Sequence, residues 1–278
     1  MERNLEDFLA QRGAVARICL TDVRGSSPRA AGTEMFVTQT QTYGTIGGGQ
    51  LEYMAIDHAR AMLARGDKQA DMDVPLGPEI GQCCGGRVQL SVARMTPAAK
   101  TKAVNTERAA QDARASAFIF GAGHVGRALA AGLSLLPVKT VLIDSRAEEL
   151  ALGTDQVEKR LSPLPEAEVR HAPPNSAFVV LTHDHSLDFL VASEALARRD
   201  AAYVGMIGSI TKRARLKSWC AAQMPDLDTR ALICPIGANS SGDKRPAVIA
   251  AFVAAEVMAA LSVPALSPIT APFVRTPQ

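Results

Sequence analysis

Phe118-Ile-Phe-Gly-Ala-Gly-His-Val-Gly126 is the stretch whose reading decides the fold of this chain. A short apolar run leads into three glycines spaced as GxGxxG, and helical spacing follows in Val125, Leu129, Gly132 and Leu133. The next apolar run, 138–143, ends in Asp144, eighteen positions beyond Gly126. Strand, glycine turn, helix and a second strand closing on an acid is the full context of a dinucleotide-binding fingerprint. Gly121 then makes the turn, Gly123 lets a phosphate approach the backbone, and Gly126 lets helix and sheet pack closely. Asp144 stands where an acid would accept from a ribose hydroxyl. His124 would sit at the mouth of the phosphate site, either donating to an anion or simply exposed at a helix start.

Working outward, further apolar runs at 177–181, 202–207 and 231–234 alternate with helical patterns. That alternation predicts a doubly wound parallel sheet. Pro246 is placed as the first residue of a final helix reaching about Leu261. The tail 263–278 carries Pro264, Pro268, Pro272 and Pro277 and is expected to be unstructured. Thr182-His-Asp-His185 follows a strand; His183 and His185 are too few for a metal site, so hydrogen bonding near a helix start is the preferred reading. Lys212, Arg213, Arg215 and Lys217 fall on one helix, where some could face a phosphate but a solvated face is the ordinary outcome.

The first third has a different character. Residues 5–11 read as a short helix capped by Asn4, 14–23 as a strand, and 34–38 with 42–46 as a hairpin. Three glycine-bearing loops stand out: Gly25-Ser-Ser-Pro-Arg29, Gly44-Thr-Ile-Gly-Gly-Gly-Gln-Leu-Glu52 and Gly81-Gln-Cys-Cys-Gly-Gly86. A helix with Leu51, Met54, Ala55, His58 and Met62 on one face starts directly from Gly47, Gly48 and Gly49, leaving its first amides free for a ligand. If one site gathers the loops, Gln50, Glu52 and Gln82 can read the edge of a heterocycle, and Arg29 can take a phosphate. Adjacent cysteines rarely bridge each other, so Cys83 and Cys84 remain as thiols suited to a soft metal or to carrying sulfur. His58 reads as a packed, hydrogen-bonded core histidine, and Cys19, Cys220 and Cys234 as inert thiols in apolar surroundings.

Composition bounds the rest. With 278 residues, two domains are the default. We expect an α/β protein: a smaller α/β (α+β) N-terminal domain over 1–95, a linker over 96–115, and a Rossmann-like domain over 116–262. The chain holds 30 basic and 28 acidic residues, so its charge makes no case for nucleic acid or an anionic membrane. An odd set of five scattered cysteines is not a disulfide framework, and the charged N-terminus has no signal core. Those readings make a cytoplasmic protein the expectation. The apolar stretch 247–263 carries Glu256 and reads as a buried helix rather than a membrane span. A homodimer is the default oligomer.

Taken together, the GSSPR, GTIGGGQLE, GQCCGG, GAGHVGRALA, THDHSLD and YVGMIGS segments, with Lys212, Arg215 and the 235–246 loop, resemble the XdhC/CoxI family. These are accessory proteins for xanthine dehydrogenase and related molybdenum hydroxylases. The resemblance implies a chaperone that binds molybdenum cofactor (molybdopterin with its metal), protects it during sulfuration by a cysteine desulfurase, and delivers it to the apo-hydroxylase. On that reading Cys83 or Cys84 approaches molybdenum, and the cofactor phosphate lies at a glycine-lined helix start, after Gly49 or at 121–126. The protein would then not be an enzyme in its own right. Two alternatives stay open: an NAD(P)-dependent oxidoreductase using the GAGHVG site, where Asp144 favours NAD, and a persulfide-carrying sulfurtransferase.

Overall fold

A computed structural model describes residues 4–11, 13–77, 85–237 and 242–262. Gln82, Cys83 and Cys84 and the tail 263–278 therefore lie outside the described residues. The chain divides into two units, Met1–Asp112 and Ala113–Gln278.

The N-terminal unit begins with α1 (Leu5–Ala10), whose cap Asn4 accepts from the Asp7 amide at 2.7 Å. Strands β1 (Ala16–Arg24), β2 (Glu34–Val37) and β3 (Thr42–Gly44) follow, then α2 (Gly49–Arg65), β4 (Gln69–Leu76), β5 (Gly86–Arg94) and α3 (Pro97–Asp112). The five strands form one antiparallel sheet in the order β3-β2-β1-β5-β4, so β1 is central. Alternation buries Ala16, Ile18 and Leu20 of β1 with Val88, Leu90 and Val92 of β5 against Leu51, Ala55, Ala59 and Met62 of α2. A second cluster is built from Leu5, Phe8, Leu9, Val15 and Phe36, with Ala103 and Val104 of α3 against it.

Two features of this unit differ from the sequence reading. Most of the segment 96–115, expected as a linker, is helix α3, and it belongs to this unit. It buries no residue fully, which is why its apolar periodicity is weak. Polar ties hold it instead: Lys100 donates to the Leu9 carbonyl at 2.8 Å, and the Tyr43 hydroxyl donates to Glu107 at 2.7 Å. Strand β4 was not anticipated, although Ala70, Met72, Val74 and Leu76 alternate; it is an edge strand, which is where its Pro75 is tolerated.

The C-terminal unit runs β6 (Ser116–Phe120), α4 (His124–Leu133), β7 (Lys139–Asp144), α5 (Ala147–Ala151), β8 (Glu158–Leu161), α6 (Pro165–His171), β9 (Ala177–Val180), α7 (His185–Ala197), β10 (Tyr203–Met206), α8 (Ile210–Gln223), β11 (Leu232–Ile233) and α9 (Pro246–Leu261). Its six strands are all parallel in the order β11-β10-β9-β6-β7-β8. This is the doubly wound Rossmann-type order, with the topological reversal between β6 and β9. Strands β6 and β9 are buried along their whole length, as a sheet covered on both faces requires. Helices α6, α7 and α8 cover one face around Phe118, Phe120 and Phe178. Helices α4, α5 and α9 cover the other around Ile119, Leu129 and Val179. No helix among the described residues is long and apolar enough to cross a membrane.

Candidate functional site

In the N-terminal unit the backbone brings together loop 25–29, the glycine turn that opens α2, and Gly85-Gly86. β1 pairs with β5 as far as Arg24 opposite Arg87, and a further bridge joins Ser26 to Gly85. The contact is so close that a Cβ on Gly86 would lie 2.2 Å from the Ser26 carbonyl oxygen. On the other side of the same loop, a Cβ on Gly47 would lie 2.8 Å from Cβ of Pro28. The loop 25–29 is thus held between the start of β5 and the glycine turn that opens α2. Gly85, the next residue after Cys84, is itself fixed by its amide donating to the Leu76 carbonyl at 2.8 Å.

Around this junction several polar groups have no partner among the described residues. Arg29 is exposed and makes no ion pair among the described residues, and Gln50 is exposed in the first turn of α2. The Ser27 hydroxyl is buried with no hydrogen-bond partner. Glu52 differs from its expected ligand-reading role. One of its oxygens, Oε2, accepts from the Thr45 hydroxyl at 2.6 Å and from the Ile46 and Gly48 amides, each at 3.1 Å. Glu52 therefore shapes its own loop, and its charge opposes a second anion at the start of α2.

The start of α4 in the C-terminal unit is different. Gly123 caps it without a side-chain acceptor, and a Cβ on Gly123 would meet nothing within 4 Å. Gly126, by contrast, is demanded by the fold, because its Cβ would lie 1.9 Å from the Gly121 carbonyl oxygen. His124 is exposed at the first helical position.

Asp144 sits at the end of β7 as expected, yet its carboxylate is already engaged. It accepts from the Ala122 amide at 2.7 Å, from the Arg146 amide and Nε, each at 3.0 Å, and from a second Arg146 guanidinium nitrogen at 2.9 Å. Burial pushes this carboxyl up, but the Arg146 and Ala122 hydrogen bonds and the Arg146 charge outweigh that and hold it below the usual carboxylate range.

Sequence reasoning missed a buried ion pair. Asp188 of α7 is fully buried; it accepts from the Thr182 amide at 2.9 Å and the Thr182 hydroxyl at 2.7 Å, and pairs with Lys212 of α8. Lys212 also donates to the Ile207 carbonyl at 3.0 Å, so the pair ties together the turns that leave β9 and β10. The signal available was an acid between Leu187 and Phe189 in an apolar helix. Arg215 and Lys217 lie on the solvated face that was expected for the whole group. His183 and His185 are exposed, and it is Asp184 between them that caps α7, accepting from Ser186 and Leu187. No group of three or more side chains able to hold a metal occurs among the described residues. His58 is half-buried, but its Nε2 has no partner, contrary to the hydrogen-bonded reading. Burial pushes the Cys19, Cys220 and Cys234 thiols up, which fits inert thiols.

With this geometry in hand, comparison with known proteins is informative. Residues 117–257 match the XdhC Rossmann domain, and residues 8–72 match the XdhC and CoxI family. A crystal structure described as a xanthine dehydrogenase from Bacillus halodurans superposes with a TM-score of 0.80. It is 16% identical, and the match covers 95% of this chain and 97% of that one, a likeness of fold. No curated protein matched the chain.

Proposed function

This chain belongs to the XdhC and CoxI family, and from that membership we propose that it is an accessory protein for a molybdenum hydroxylase of the xanthine dehydrogenase type. Its cargo is molybdenum cofactor, which it holds, shields during sulfuration by a cysteine desulfurase, and hands to the apo-enzyme. The observation that carries this reading is the locked junction of loops 25–29, 47–49 and 85–86. It leaves Arg29, Gln50 and the Ser27 hydroxyl without partners among the described residues. A phosphate-bearing heterocycle supplies what those groups lack: acceptors for a guanidinium and a hydroxyl, and a polar edge for an amide.

Cys83 or Cys84 supplies the thiolate toward molybdenum, and a carrier that uses few protein ligands can release what it holds. Glu52 weighs against a phosphate at the start of α2. The committed Asp144 weighs against an NAD-dependent oxidoreductase, which needs that acid for the ribose.

The test is anaerobic retention of freshly released molybdenum cofactor by the purified protein, with Cys83→Ala and Cys84→Ala made separately. Retention should be stoichiometric in the parent, survive excess NAD, and fail in at least one variant. Full retention in both variants would remove the cysteines from the site, and no retention by the parent would remove the cargo.

A further inference from the structure

Three arginines stand at the N-terminal junction, and two of them are engaged. Arg24 pairs with Asp22 at 2.9 Å, and Arg87, opposite it in the ladder, pairs with Asp73 at 2.7 Å. Arg29 makes neither an ion pair nor a hydrogen bond among the described residues. Its stem lies on the turn that opens α2, with Cγ 3.6 Å from where a Cβ of Gly47 would stand. Its charged end is exposed.

The amides of that turn are closed to an anion. Those of Ile46 and Gly48 donate to Glu52, each at 3.1 Å, and that of Gly47 donates to the Thr45 hydroxyl at 3.2 Å. Glu52 adds the charge of its own carboxylate, which repels another. A phosphate arriving at the junction therefore finds its donors on loop 25–29. The Arg29 guanidinium offers a planar fork that matches two phosphate oxygens. The Ser27 hydroxyl is buried with no partner, where such a group is ordinarily paired. Only Pro28 separates the two, and its ring fixes the backbone between them.

Resting on the cargo reading, we propose that Ser27 and Arg29 read the phosphomonoester of the cofactor. This pair, rather than either glycine-lined helix start, makes the carrier favour phosphorylated over unphosphorylated pterin. A cargo without the phosphate leaves Ser27 and Arg29 as unsatisfied as they are in the empty protein, so it gains nothing from them.

The test is anaerobic retention, by the full chain, of freshly released molybdenum cofactor and of the same cofactor after alkaline phosphatase treatment. The parent should hold the phosphorylated form at least about tenfold more tightly, the value of one charge-assisted hydrogen bond. Arg29→Ala should close the gap between the two forms without changing the melting temperature, because the side chain is exposed. Arg29→Lys keeps the charge but not the fork and should restore part of the gap. Ser27→Ala should narrow it. Equal retention of both forms by the parent would overturn this inference and leave the cargo reading standing. A loss of both forms in the same proportion in Arg29→Ala would overturn it too, since the residue would then act on the fold rather than on the phosphate. A parent that holds neither form would defeat the cargo reading, and this inference with it.

Discussion

Replacing Gly86 by alanine should dismantle the N-terminal junction. The added Cβ would stand 2.2 Å from the Ser26 carbonyl oxygen and 2.8 Å from that of Arg24. Carbon–oxygen contacts settle at about 3.3–3.6 Å, so backbone must separate from backbone by about 1 Å. No side chain can swing aside to absorb this, and the β1–β5 ladder beside it resists stretching. Overpacking of this kind costs about 1–3 kcal/mol, and the rigid neighbours put Gly86→Ala toward the upper end. For a unit of this size, about 3 kcal/mol lowers the melting temperature by roughly 15 °C. Differential scanning calorimetry should show that loss in the N-terminal unit, together with loss of cofactor retention. Gly123→Ala is the internal comparison: its Cβ enters open space at φ −68°, so melting should stay within about 0.5 kcal/mol of the parent. Gly47→Ala probes the other side of the loop, adding backbone strain at φ +130° to a clash with the Pro28 side chain. A Gly86→Ala protein that melts like the parent and still retains cofactor would refute the locked junction.

Two further outcomes follow from the C-terminal unit. Lys212→Met strands a fully buried Asp188 carboxylate and should cost about 3–5 kcal/mol in urea unfolding, with Lys212→Met/Asp188→Leu recovering part of it; a loss below about 1 kcal/mol would contradict the burial of the pair. Because the Asp144 carboxyl is held below its ordinary value, its stabilisation is complete above the usual carboxylate range. It drains away as pH falls through the lower folded-state value. The urea midpoint should therefore drop below about pH 4, and Asp144→Asn should flatten part of that slope; equal slopes in both proteins would disprove the assignment.

The parallel sheet was legible because β6, β7, β9 and β10 are continuous apolar runs and the glycine fingerprint fixed where one helix begins. Strand β8 was not, since Glu158, Lys159 and Arg160 at a sheet edge carry no apolar signal. Helix α3 escaped for a related reason: it is held by Lys100 and Glu107 rather than by a buried stripe. At the candidate sites, sequence showed which residue types stand in the loops but not which side chains the fold already engages. Glu52 and Asp144 are the residue types a ligand would want, yet nearby amides and Arg146 claim them first, and such competition depends on distances of a few ångströms. Asp188 and Lys212 are 24 residues apart, so only the turns of β9 and β10 reveal them as partners.

Strand β1 lies at the centre of its sheet, but its neighbour β5 is made some seventy residues later. On a ribosome, the early loop 25–29 must therefore wait, half-supported by the β2 hairpin, until the glycines at 85 and 86 emerge. Until then the junction proposed to receive the cargo cannot form. The order of synthesis makes competence of the first unit an all-or-none event that arrives with its last strand, before any of the second unit exists.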